Sequence, residues 1–150
     1  VGAFAVAIYL MQSSFLQSSG SNQVVSQEFD ADGNPIQNYE IFSAARLNEL
    51  QSEGRPVFLN MTAAWCITCL ANEQTTLGTE RVQQAMSDND ITYMKGDWTN
   101  EDPEITAVLE QFNRPSVPLY VLYPGDASKE PLILPQILTP GALSRAFESI

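Results

Sequence analysis

Histidine is absent from this 150-residue chain, and only two cysteines are present. These shortages remove many catalytic chemistries at once. No histidine-based triad can be assembled, no serine elbow is present, and no glycine-rich loop offers backbone N–H groups to a phosphate. Two thiols alone fall short of the Cys and His ligands that a four-coordinate structural zinc needs. Basic residues are scarce too, seven against eighteen acidic, for a formal net charge of -11. Such a surface repels a phosphate backbone and argues against a nucleic-acid partner. The acid otherwise reads as a solvated surface, or as steering toward a basic partner.

Membrane-length apolar runs are missing as well. Residues 1–11 (VGAFAVAIYLM) are apolar throughout, but a helix needs roughly 20 such residues to cross a bilayer. No basic stretch precedes them and no small-x-small cleavage site follows, so a signal peptide is poorly supported. They read as the stump of a longer membrane segment or as a locally packed helix or strand. The Ser- and Gln-rich residues 12–23 read as a flexible connector. Residues 24–150 then suffice for one domain with one core.

Val24 to Phe29 is a short strand candidate, ended by the dense turn signal Asp30-Ala-Asp-Gly-Asn-Pro35. Its alternating Asp30, Asp32 and Asn34 lack the glycine and glutamate placement of a calcium loop, so a turn is expected. Tyr39 to Phe42 reads as a strand, and Ser43 caps a helix with Ala44, Leu47 and Leu50 on one face until Gly54. The run Val57-Phe-Leu-Asn-Met61 does not alternate with polar residues, which marks a strand covered on both sides. A helix from Cys66 to about Thr75 breaks near Gly78 and resumes over Thr79 to Ser87. Ile91 to Lys95 is a strand. Asp102-Pro103-Glu104 starts a helix with Ile105, Val108, Leu109 and Phe112 inward. Val117 to Tyr123 and Leu132 to Leu134 are strands, and Thr139-Pro140 opens a last helix burying Leu143 and Phe147. The order predicts an α/β domain, a central mixed sheet with helices on both faces.

The two cysteines fall as Trp65-Cys66-Ile67-Thr68-Cys69, where a strand hands over to a helix. Unpaired N–H groups at a helix start stabilise a thiolate at the first cysteine. The second, three positions on, shares its face and can attack a mixed disulfide formed by the first. Redox exchange of this kind requires an exposed Cys66. A static disulfide, or a two-thiolate copper or zinc site borrowing ligands from a partner and possible help from Met61, does not.

With Trp65-Cys66-x-x-Cys69 after the first core strand and Val117-Pro118 before a later one, the chain resembles the thioredoxin family. The stretch from about Glu40 to Ile150 is similar to the C-terminal periplasmic domain of the bacterial transmembrane thiol:disulfide interchange proteins, the DsbD and ScsB group. The segments from Thr62 to Glu73, Gly96-Asp-Trp-Thr-Asn100 and Arg114-Pro-Ser-Val-Pro-Leu-Tyr120 carry the likeness. The resemblance implies a thioredoxin-like fold and a protein-disulfide reductase of the periplasm, tethered to the inner membrane and linked to electron transport and cytochrome c biogenesis. Its electron donor would be the transmembrane domain of the same parent protein. Its acceptors would be oxidised thioredoxin-like or other disulfide-bonded periplasmic proteins. No cofactor or metal is implied, because the sulfurs carry both electrons.

By the same resemblance Cys66 is the nucleophile, Cys69 the resolving thiol, and Pro118 the proline held in cis beside the dithiol. Val117 then offers backbone groups to an extended substrate strand. Without the family, trans would be the default for Val117-Pro118. Trp65 is either an apolar platform for docking partners or core packing. Thr68 either hydrogen-bonds near the sulfurs or simply suits a first helical turn. Trp98 either contacts a partner or closes the core. Glu73, seven positions beyond Cys66, returns to the same helical face and matches an acidic residue of the periplasmic domain, so it can influence the thiols or be a solvated position. Asn60 departs from the pattern, standing where many thioredoxin-like domains bury a proton-relaying aspartate. An oxidising or isomerising role, or copper(I) carriage, are the rival functions.

Overall fold

The computed structural model describes residues 25–29 and 35–150, with side chains from residue 39 onward. The expectations for residues 1–24 and for the turn and calcium loop at 30–34 lie outside the described residues. Among the described residues, six strands form one mixed sheet in the order β1-β2-β4-β3-β5-β6. They are β1 (Val25–Phe29), β2 (Pro35–Ile41), β3 (Val57–Thr62), β4 (Thr92–Asp97), β5 (Leu119–Tyr123) and β6 (Leu132–Ile133). Strands β2, β4 and β3 run parallel; β1 pairs antiparallel with β2, and β5 and β6 extend the other side antiparallel.

Strand β3 is buried along its whole length, as its unbroken apolar run requires when both faces are covered. Alternation divides its side chains. Val57, Leu59 and Met61 join the core beneath α1 (Ala44–Ser52) and α4 (Pro103–Gln111), and Phe58 joins the opposite core. That second core is closed by α3 (Glu80–Asp88) and α5 (Pro140–Glu148). An aromatic row crosses it from strand to strand. Tyr39 meets Tyr93 edge-on at 6.0 Å, Phe58 stacks on Tyr93 at 5.8 Å and on Tyr120 at 6.2 Å. Aromatic pairs at these spacings gain energy beyond their buried area.

The helix starts follow the residues foreseen for them. Ser43, Thr79 and Thr139 accept the N–H of Arg46, Val82 and Ala142, and Asp102 accepts those of Glu104 and Ile105 ahead of α4. Gly54 closes α1 at φ 71°, where a side chain would be strained.

The expected helix from Cys66 to Thr75 is not uniform. It is α-helical as α2 (Ile67–Asn72) and then widens into a π-helical turn, Glu73–Leu77, with the Gly78 N–H donating to the Glu73 carbonyl at 2.6 Å. Strand β5 also starts later than expected, at Leu119, because the preceding residue is proline and has no N–H for the ladder.

Candidate functional site

Cys66 is the N-cap of α2 and is joined to Cys69 by a disulfide spanning 5.2 Å between Cα atoms. The Cys69 N–H donates to Cys66 Sγ at 3.2 Å. Such a donor favours negative charge on this sulfur once the bond is reduced. The opening that exchange requires at Cys66 is small in the oxidised pair: 7% of the residue is exposed, whereas Cys69 is fully buried at 0%. The open surface lies in the neighbours instead. Trp65 is 53% exposed and Ile67 83%, so apolar surface flanks Cys66 on both sides along the chain.

Two loops hold this mouth in place. The Trp65 indole N–H donates to the Thr99 carbonyl at 3.2 Å, and the Ala64 N–H to Thr99 Oγ1 at 2.9 Å. Thr99 in turn donates its hydroxyl and, at 2.9 Å, its backbone N–H to Asp97 Oδ1. Trp98, by contrast, is buried and donates its indole N–H to Thr106 Oγ1 at 2.9 Å, closing the core over α4. On the opposite side, Val117 and Pro118 are joined by a cis peptide bond, and Val117 packs in one core cluster with both cysteines. Thr68 is half-buried in the first turn and makes no side-chain hydrogen bond among the described residues.

Beneath the dithiol helix lies a polar group that sequence reasoning found only in part. Asn60 is fully buried, and its Nδ2 donates to the Tyr93 hydroxyl at 2.9 Å. Glu73, the first residue of the π turn, forms an ion pair with Lys95 at 3.3 Å, and the Lys95 ammonium stands 4.9 Å from the centre of the Tyr39 ring. Burial pushes the Tyr93 phenol above its ordinary range, and the Glu73 charge adds to the effect. Met61 is buried in the opposite core, close against Gly96.

Asn72 was missed altogether. Its Nδ2 donates to the Tyr120 hydroxyl at 2.9 Å and to the Gln136 carbonyl at 2.7 Å, and its Oδ1 accepts from the Leu138 N–H at 3.1 Å. Thr76, one turn on, donates to the Leu138 carbonyl at 3.1 Å. The dithiol helix is thereby fastened to the segment before α5. The available signal was spacing: Cys69, Asn72 and Thr76 share one helical face, so the last two had to be buried and paired.

The sequence model of the Thioredoxin-like family matches residues 37–125. The chain belongs to the thioredoxin-like family. The thiol:disulfide interchange protein DsbD of Escherichia coli K12 is 27% identical over 94 residues, which is 61% of this chain and 16% of that protein. The chain thus spans about a sixth of the curated relatives it matches. The oxidised C-terminal domain of Neisseria meningitidis DsbD superposes with a TM-score of 0.55 at 27% identity, covering 71% of this chain and 90% of that one. A thioredoxin from Thermus thermophilus shares the fold, with a TM-score of 0.58 at 14% identity over 73% of this chain and 84% of its own. With a Cys-x-x-Cys disulfide at the start of the helix after β3, this thioredoxin-like domain is a thiol:disulfide oxidoreductase. Its chemistry is thiol:disulfide exchange.

Proposed function

We propose that the chain works as a reductase, carrying electrons from a membrane-embedded dithiol of its parent protein to oxidised periplasmic proteins. Residues 24–150 form the exchanging domain in this reading, and residues 1–23 a stub and connector leading toward the inner membrane. The observation that carries it is the Cys66–Cys69 disulfide, buried on its inner side and opening beside exposed Trp65. A pair so placed admits a partner sulfur at Cys66 and keeps Cys69 for the second step.

After reduction, the Cys66 thiolate attacks one sulfur of a partner disulfide, and the other partner sulfur leaves as thiolate. Cys69 then attacks Cys66 Sγ, releasing the second partner sulfur and restoring the internal disulfide. Two electrons pass to the partner. Val117, next to the cis Pro118, offers backbone groups to the bound strand, Trp65 covers it, and Thr68 supports the first turn. Asn60 cannot ionise, so Glu73, held by Lys95, is the carboxylate that assists the thiol protons.

The direction is tested by equilibrating the pair in a glutathione or dithiothreitol series with thiol trapping. A potential well below about -200 mV fits a reductant, whereas one near about -120 mV would make the domain an oxidant and reverse the assignment.

A further inference from the structure

A cavity of about 390 Å3 opens next to the dithiol helix, on the side of β2 and away from the cis proline. It lies at the carboxyl ends of the parallel strands β2, β4 and β3, where open α/β sheets receive their ligands. Space exists because the β3–α2 connection is lined by the small residues Thr62, Ala63 and Ala64. Its rim is apolar and open: Ile41 is 51% exposed and Leu70 44%. The floor holds the Glu73–Lys95 pair, and Asp97 at the edge is exposed, accepts from Thr99 and makes no ion pair among the described residues. Leu70 stands one helical turn beyond Cys66, its N–H donating to the Cys66 carbonyl at 3.1 Å, so an occupant of this cavity lies one turn from the reactive cysteine.

We propose that this cavity is a docking pocket for the partner protein, taking an apolar side chain between Ile41 and Leu70 while a basic residue beside it pairs with Asp97. The proposal rests on the exchange reading above and adds the chemistry of the partner. Charge complementarity selects the occupant, since the chain carries -11 and a second copy or an acidic segment meets repulsion there. An apolar side chain removes the exposed rim from water, and the cation supplies orientation and rate of encounter.

Docking is separated from exchange by using short peptides in which serine replaces the reactive cysteine, one with Leu-Lys beside it and one with Ser-Glu. Binding is followed through tryptophan fluorescence. The Leu-Lys peptide is expected to bind at least about tenfold more tightly, an advantage of about 1.4 kcal/mol. Filling the cavity with Ala64→Leu, or opening its rim with Leu70→Gln, is expected to bring the two peptides within about twofold of each other. Asp97→Asn, which keeps the acceptor used by Thr99, is expected to reduce the advantage of the Leu-Lys peptide without abolishing it. Equal binding of both peptides by the native chain overturns the proposal, and so does a preference that survives both cavity variants. Concentration-dependent self-association abolished by Ala64→Leu would give the cavity to a second copy and also overturn it. Reduction of bis(hydroxyethyl) disulfide by the reduced chain reads the exchange chemistry separately, so its failure would strike the functional reading and leave the docking result standing.

Discussion

Asn60 donates to the Tyr93 hydroxyl at 2.9 Å, yet its own Oδ1, wholly buried on β3, has no hydrogen-bond partner among the described residues. An ionisable group at this strand position would be a buried charge. The amide instead fixes a neutral polar pair in the row of rings that crosses the sheet. The orphaned oxygen costs on the order of 1–3 kcal/mol, and the aromatic packing around Tyr93 offsets it.

That pair predicts a marked non-additivity. Asn60→Leu takes the Nδ2 donor away from the buried Tyr93 hydroxyl, and Tyr93→Phe leaves both ends of the amide unpaired, so each single variant loses about 1–3 kcal/mol. The double variant removes both ends of this hydrogen bond together and should lose less than the two single losses added. Urea unfolding of the four proteins gives the coupling. Additive losses would mean that the hydrogen bond contributes nothing.

Alkaline pH should expose the same core. Burial pushes Tyr120 up to about 12 from 10.0 and Tyr93 further in the same direction. A raised acid pKa means that the folded state favours the neutral phenol. The stabilisation is complete below about pH 10 and is lost as pH climbs through the folded values, because the unfolded chain ionises first. Melting temperature is therefore expected to hold steady up to about pH 10 and then fall steeply. Tyr120→Phe should flatten that fall at modest neutral-pH cost, because Asn72 keeps Gln136 as an acceptor.

The order of elements along the chain and the helix starts were legible because each rests on local chemistry. The unbroken run through Phe58, the caps at Ser43, Thr79, Asp102 and Thr139, and the Cys-x-x-Cys spacing all act within a few residues of themselves. The cis bond at Pro118 was legible only through the family likeness. What escaped reading depends on distant partners. Lys95 looked like the polar end of a strand until β3 and α2 brought Glu73 to it. Asn72 drew no reading of its own, because it bonds residues 48, 64 and 66 positions away. The π turn has no propensity signature of its own, and Thr76 and Leu77 are buried within it.

Asn72 should be the costliest of the polar positions to lose. Asn72→Ala strands the Gln136 carbonyl, the Tyr120 hydroxyl and the Leu138 N–H, and a loss of about 2–4 kcal/mol is expected. The amide of Leu138 should then exchange with deuterium far faster than those of β3, since the segment loses its tie to α2 while the sheet core is untouched. Uniform acceleration across both would mean that Asn72 supports the fold as a whole and does not fasten this segment.

Glu73→Gln keeps the size of the side chain but discharges one half of a pair whose side chains are 14% and 11% exposed. Lys95 then keeps its charge in a largely buried place, which should cost about 1–3 kcal/mol. If the carboxylate also assists the thiols, the pH dependence of alkylation at Cys66 should move in this variant. It should stay unchanged in Glu80→Gln, at an exposed helix start seven residues beyond. A stability loss with an unaltered alkylation profile would confine Glu73 to a structural role.

The burial difference between the two sulfurs predicts which of them a partner can capture. Cys69→Ser leaves Cys66 able to attack but nothing to resolve the product, so a mixed disulfide with an oxidised peptide should accumulate and persist until dithiothreitol is added. Cys66→Ser leaves only a thiol with no exposed surface, and trapping should be slower by orders of magnitude. Mass spectrometry of the two variants after the same incubation counts the adducts. Comparable trapping at Cys69 would require α2 to open on encounter, and the assignment of nucleophile and resolving thiol would have to be exchanged.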